Sequence, residues 1–224
     1  MLHERIGTCD LYLGDCRDIL PDLMWGSVVS DPPFGMEFQS NHRVSKHSKI
    51  QNDKTDEHMK FACELHAAHS KYVFARWDNL ASLPKPNSLI TWVKNNWSMG
   101  DLEHEHARQT EVALFYRGSD HFFPCGRPSD VINCPRTGNE FHPTEKPVAL
   151  MQTIVGWTAG TVLDCYMGSG TTLVACQKLG RHGIGIEIDP DYFEIACKRV
   201  EEAARQPDLF IADAPKPQQE AMDL

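Results

Sequence analysis

Asp31 stands in the run Ser30-Asp31-Pro32-Pro33-Phe34, directly after the apolar pair Val28-Val29. Two consecutive prolines remove two backbone donors and fix φ, so the carbonyls of Asp31 and Pro32 project stiffly from a strand end as acceptors. Such a set suits an exocyclic amine, whose lone pair is delocalised into its ring and whose nitrogen is a poor nucleophile. Hydrogen bonds from its two N–H groups to Asp31 and to the Pro32 carbonyl would favour a pyramidal, attacking nitrogen, with Phe34 stacked on the ring. Alone, the run is also ordinary turn chemistry. The chemical reading depends on what else the chain carries.

A second constellation lies far along the chain, where strand Thr161-Val162-Leu163 leads into Asp164-Cys165-Tyr166-Met167-Gly168-Ser169-Gly170-Thr171-Thr172. Glycines let a backbone approach a ligand closely, and the helix that follows presents unpaired N–H groups. About twenty residues past the glycines, Gly183-Ile184-Gly185-Ile186 ends in Glu187, where doubly wound folds place a ribose-binding acid. Strand, turn, helix, strand and acid in register predict a nucleoside site. Leu11-Tyr12-Leu13 is a further short strand, delivering Asp15 through Gly14-Asp15.

The elements that must hold these acids are seven strands, predicted at 11–14, 27–30, 71–75, 89–93, 111–116, 161–164 and 183–187. Helices are predicted from Cys16 to Leu23, Asp56 to Ser70 and Lys146 to Ala159. Asp120 to Phe141 reads as a loop or small recognition insertion, in which Pro124-Cys125 and Cys134-Pro135 lack any context for a nucleophilic cysteine. From Gly35 to Lys49 the chain is polar, with His42, Arg43, Lys46, His47 and Lys49 against Glu37 alone. This segment is expected to contact phosphates beside the Asp31 turn, through Arg43, Lys46 and Lys49.

At 224 residues the chain suits one α/β domain with modest embellishment. Hydrophobic content of 41% and charged content of 24% are those of a globular protein. A net charge of −9 argues against non-specific coating of nucleic acid, though a local basic patch can still serve an enzyme. The eight cysteines form no C-x-x-C pair, which predicts reduced thiols, no zinc site and a cytoplasmic protein. Neither a secretion signal nor a membrane span is expected.

Taken together these residues resemble the amino-methylating DNA methyltransferases of the permuted (β) class. Asp31-Pro32-Pro33-Phe34 resembles that family's catalytic D-P-P-Y/F motif, and Asp164 to Thr172 its D-P-F-x-G-S-G-T-T cofactor loop. His142-Pro143-Thr144-Glu145-Lys146-Pro147 is similar to its H-P-T-x-K-P segment, which also contacts cofactor. The chain order, catalytic motif first and cofactor loop last, is the family's too. The departures are Cys165 and Tyr166 for the usual Pro and Phe, and Phe34 for the commoner Tyr.

The resemblance implies a circularly permuted, mostly parallel, doubly wound Rossmann-like sheet in which the last two strands insert between the first and second. It implies S-adenosylmethionine as cofactor, with Glu187 on the ribose hydroxyls and Asp15 on the adenine amino edge. Gly168 and Gly170 would admit the methionine part near Thr171 and Thr172; His142, Thr144, Lys146, Asp164, Tyr166 and Ser169 complete the implied cofactor set. The substrate would be a base flipped out of double-stranded DNA. Adenine N6 is favoured over cytosine N4, because N4 enzymes usually carry Ser immediately before the two prolines. A non-catalytic cofactor-binding regulatory module is the reading from another class.

The expected domains are a methyltransferase unit over 1–202 and a tail over 203–224. Within the first, a catalytic half spans 8–116, a recognition insertion 117–141 and a cofactor half 142–202. In the tail, Gln206-Pro207-Asp208-Leu209-Phe210 resembles the short peptide with which many bacterial DNA-processing proteins dock on the replication sliding clamp. Gln206, Leu209 and Phe210 would be its anchors. A homodimer is the other assembly considered.

Overall fold

The computed structural model describes residues 2–33, 56–96, 103–104, 106–136 and 145–205. Phe34, Arg43, Lys46, Lys49, His142, Thr144 and the tail residues Gln206, Leu209 and Phe210 lie outside them.

In chain order the elements are β1 (Leu2–Ile6), β2 (Cys9–Leu13), α1 (Cys16–Ile19), β3 (Ser27–Ser30), α2 (Glu57–Glu64), β4 (Ser70–Ala75), β5 (Ser88–Val93) and β6 (Thr110–Arg117). They continue with β7 (Val131–Asn133), α3 (Val148–Gly156), β8 (Val162–Asp164), α4 (Thr171–Lys178), β9 (Gly183–Glu187) and α5 (Pro190–Arg205). All the strands join one sheet, in the order β1-β2-β9-β8-β3-β4-β6-β5-β7. The run from β2 to β4 is parallel. The late strands β8 and β9 therefore lie between the early strands β2 and β3. Strand β6 runs antiparallel to both β4 and β5, which brings its first residues to the edge where its neighbours end.

Both faces of the parallel strands are covered, as the alternation of buried side chains requires. Val29, Tyr72 and Phe74 point into the core built with α3, α4 and α5, around Leu150, Ile154, Leu173 and Phe193. Val28, Val73 and Ala75 point the other way, toward Ile19 of α1 and Met59, Ala62 and Cys63 of α2.

Several predicted boundaries are corrected. The sheet has nine strands among the described residues, not seven. Strand β1 has four of its five residues exposed, so its Leu-His-Glu-Arg-Ile sequence carries no buried alternation to detect. Strand β7, three residues within the insertion, pairs with β5, and the nearby Trp92 indole donates to the Cys134 carbonyl. Helix α1 stops at Ile19 and passes into a 3-10 turn, Leu20–Asp22, carrying Pro21. Helix α2 ends at Glu64 rather than Ser70, because the Lys71 ammonium takes up the carbonyls of Cys63 and Leu65. Helix α3 begins after Pro147 and ends at Gly156, where Arg181 binds the carbonyls of Val155, Thr158 and Gly160. Helix α5 runs through Arg205, with Ala203 buried in the core, so the first three residues assigned to the tail belong to the domain.

Candidate active site

Four acids stand at the carboxyl ends of four adjacent strands: Asp15 after β2, Glu187 ending β9, Asp164 ending β8 and Asp31 after β3. That edge is where open α/β sheets bind ligands.

Asp31 leaves β3 at a point where Ser27 to Ser30 are all buried, and the first proline after it, Pro32, is buried as well. One carboxylate oxygen, Oδ2, accepts from Lys146 Nζ at 2.6 Å. The other, Oδ1, is buried and has no hydrogen-bond partner among the described residues. An orphaned buried acceptor costs free energy until something donates to it. Lys146 is itself 4% exposed, lies over the Phe74 ring and reaches Glu111 Oε2 at 3.4 Å. Glu111 Oε1 in turn meets Lys94 Nζ at 2.5 Å. Glu111 is at this edge because β6 is antiparallel and starts there, and Lys94 because β5 ends there. The result is a line of alternating charge, Asp31, Lys146, Glu111, Lys94.

Burial pushes the Asp31 carboxyl up, the Lys146 ammonium pulls it back down, and the like charge of Glu111 adds to the upward push. For Lys146, burial acts downward, but Asp31 and Glu111 more than offset it and hold the ammonium above its ordinary range. Glu111, despite its own burial, is held below the carboxylate range by Lys146 and Lys94.

The glycine turn is built from both sides. Asp164, 2% exposed, accepts from Ser30 Oγ at 2.7 Å, Thr172 Oγ1 at 2.5 Å and Tyr166 N at 3.1 Å. Burial pushes its carboxyl up to about 6, against those three donors. From α5, Arg199 donates to the Ser169 carbonyl, Ser169 Oγ and Thr171 Oγ1, and to Glu145 Oε1 at 2.5 Å. The side-chain polar atoms of Asp164, Ser169, Thr171 and Thr172 are thus engaged within the protein and shape the turn. Arg199 also ties the turn to the segment that carries Lys146.

The two glycines differ. Both have positive φ, +51° at Gly168 and +81° at Gly170. A Cβ on Gly170 would meet Ala196 Cβ of α5 at 2.9 Å, whereas one on Gly168 would meet nothing within 4 Å. Helix packing therefore requires glycine at position 170, and Gly168 borders open space. The Gly168 N–H donates to Glu187 Oε2 at 2.9 Å and the Asp189 N–H to Oε1 at 2.8 Å. Each Glu187 oxygen retains a lone pair, and burial pushes the carboxyl up to about 7. Asp15, half-buried, caps α1 through Arg17 N, and the neighbouring Gly14 N–H donates to the Glu187 carbonyl. Tyr166 reaches His58 of α2, with its hydroxyl 3.0 Å from Nδ1. Cys165 is buried, with Sγ 3.7 Å from Ser30 Oγ, a place in which a thiol packs as a small apolar group.

The sequence-predicted residues within the described set thus fall into three groups. Asp31, Pro32 and Pro33 follow β3 on the carboxyl edge of the sheet, and Asp15, Glu187, Gly168 and Tyr166 stand at or just past the ends of β2, β9 and β8 on the same edge. Asp164, Ser169, Gly170, Thr171 and Thr172 build the turn from behind. Lys146, expected on the cofactor, is found on Asp31. Lys94, Glu111, Glu145 and Arg199 were missed; their ion-pair partners lie 17 to 54 positions away, which no local pattern marks. Among the described residues no cluster of three potential metal ligands occurs, and no helix is long and apolar enough to cross a membrane.

Known proteins resemble this chain in sequence and in fold. The sequence profile of a DNA methylase family matches residues 130–198. A protein of Escherichia coli (strain K12) described as a candidate methylase, YubD, is 28% identical over 231 residues, covering 90% of this chain and 97% of its own length. The type II methyltransferase M2.DpnII of Streptococcus pneumoniae is 45% identical over 65 residues, 27% of this chain and 24% of its own. Among solved structures, the complex of M1.HpyAVI with SAM superposes with a TM-score of 0.67 at 24% identity, covering 85% of this chain and 99% of that one.

Proposed function

We propose that this chain, a member of the N6/N4 DNA methylase family, transfers a methyl group from S-adenosylmethionine to the exocyclic N6 amine of an adenine flipped out of double-stranded DNA. The observation that carries the reading is Asp31 Oδ1, at the carboxyl edge of the sheet, a buried acceptor without a donor among the described residues. An amine N–H is the donor it lacks. A second N–H would go to the Pro32 carbonyl, and Phe34 would stack on the base.

The cofactor is S-adenosylmethionine, and the residues present fit it. Glu187 keeps lone pairs for two ribose hydroxyls, Asp15 stands at the adjoining strand end for the adenine amino edge, and Gly168 leaves space where the backbone must be approached. When bound, it supplies a methyl group activated on a sulfonium. The work left to the chain is alignment: holding amine and methyl within about 3 to 3.5 Å converts an encounter into an intramolecular reaction. Base flipping is required because an exocyclic amine within a stacked duplex is out of reach. Arg43, Lys46 and Lys49 are proposed as phosphate contacts for that duplex.

Cytosine N4 is the second reading, since both amines present two N–H groups to the same acceptors. Asp31, in the slot where N4 enzymes usually carry Ser, favours adenine. The test is Asp31→Ala. Transfer of labelled methyl to DNA should fall on the order of 10²-fold or more, while cofactor affinity by calorimetric titration stays near wild type. Near-normal turnover would refute the assignment. Digestion of the methylated product to nucleosides distinguishes N6-methyladenine from N4-methylcytosine.

A further inference from the structure

We infer that Lys146 is a positioning residue for the reaction: by occupying Oδ2 of Asp31 it leaves Oδ1 as the one acceptor offered to the target amine, and Glu111 and Lys94 hold it there. The inference rests on the reading that Asp31 receives the amine, and it gives Lys146 a role on the acid instead of on the cofactor.

The geometry carries it. Lys146 Nζ is 2.6 Å from Oδ2, against 3.4 Å to Glu111 Oε2, and the ammonium is buried over the Phe74 ring. Rotation of the Asp31 carboxylate would cost this charge-assisted bond, so Oδ1 stays turned away from the ammonium. The same contact decides which form of Asp31 the substrate meets. With the Lys146 ammonium donating to Oδ2, a proton on Asp31 would have to sit on Oδ1 and would turn the amine's acceptor into a donor. Asp31 must therefore stay ionised, although burial and Glu111 both oppose ionisation.

Among the described residues the charged groups facing Asp31 are Lys146 from the segment before α3, Glu111 from β6 and Asp164 at the end of β8. Lys94 of β5 acts through Glu111. Of these groups only Lys146 favours the ionised acid directly. Removing its charge and removing that of Glu111 must push Asp31 in opposite directions, which a merely structural role would not do.

The experiment is the pH dependence of the single-turnover methyl-transfer rate, with saturating labelled S-adenosylmethionine and unmethylated plasmid DNA of mixed sequence. Thermal melting and cofactor titration are run on every variant. Lys146→Met should move the acid limb to higher pH, lower the rate near neutrality on the order of 10²-fold, and regain part of it in alkali. Glu111→Gln should move the same limb to lower pH. Equal losses at every pH with neither limb moved would overturn the inference. So would a selective loss of cofactor affinity in Lys146→Met with the limb in place, which would return Lys146 to the cofactor. If Lys146→Met does not fold, the direction of the Glu111→Gln shift decides. Asp31→Asn separates the two levels: wild-type rate and limb in that variant would remove the reading of Asp31 itself, whereas an inactive Asp31→Asn beside an unmoved Lys146→Met profile would remove only the role of Lys146.

Discussion

Gly168 and Gly170 stand two residues apart in one turn with similar left-handed backbones, yet their replacement should damage different properties. An alanine at either site carries the cost of a left-handed conformation for a residue with a Cβ, about 1–2 kcal/mol. At Gly168 nothing is added, because the new Cβ meets open space. At Gly170 it would lie 2.9 Å from Ala196 Cβ and 3.1 Å from Ala196 Cα. That neighbour is short and fixed to a helix backbone, so the helix itself must shift, at about 1–3 kcal/mol of overpacking. The totals are about 2–5 kcal/mol for Gly170→Ala and about 1–2 kcal/mol for Gly168→Ala. In a domain of this size each kcal/mol moves Tm by about 2–4 °C, so Gly170→Ala should melt roughly 4–20 °C lower and Gly168→Ala roughly 2–8 °C lower. Cofactor affinity should rank the other way. Gly168→Val, with bulk on the open side next to Glu187, should weaken S-adenosylmethionine about tenfold or more, equivalent to about 1.4 kcal/mol. Folded Gly170→Ala should bind nearly normally. Scanning fluorimetry and calorimetric titration read the two quantities. A Gly170→Ala variant that melts like wild type but has lost the cofactor would refute the division.

Two further outcomes follow from the same turn. Burial holds the Glu187 carboxyl at about 7, above the ordinary value of 4.5, so between these values the native state binds a proton that the unfolded chain has released. Stability should therefore fall as pH rises through that window, while cofactor affinity should rise through about 7 as the acceptor for the ribose hydroxyls ionises. Glu187→Gln should flatten both curves, and unchanged pH profiles would count against the ribose assignment. Arg199→Met breaks a buried pair with Glu145, whose side chains are 10% and 6% exposed, and releases Ser169 and Thr171. About 3–5 kcal/mol should be lost, roughly 6–20 °C in Tm, with weaker cofactor binding; Arg199→Lys should not restore it, since one ammonium cannot span the set. A melting temperature within error of wild type would refute that role.

What the sequence determined by itself is what local pattern can carry. Apolar runs ending in acids located Asp15, Asp31, Asp164 and Glu187, and a short apolar run bounded by breakers is a strand wherever the sheet later places it. Glycines before a helix located the turn, because a positive φ restricts residue type locally. Proline and aspartate at 31–33 were legible for the same reason.

The tertiary structure decided which of these groups meet, and through what. Val28-Val29 and Val162-Leu163 are alike as strings, and only pairing sets β8 beside β3 and brings Asp164 to Ser30. Lys146 carried no mark distinguishing a cofactor contact from a partner of Asp31, 115 positions away. Glu111 looked like the polar first residue of a strand, and the antiparallel direction of β6 put it on the carboxyl edge. Gly170 and Gly168 obey the same backbone rule, and the position of Ala196 separates their uses. Local backbone preference acts over a few residues and is written along the chain. Electrostatic pairing, steric contact and strand direction act across space, and exist only once the sheet has closed around them.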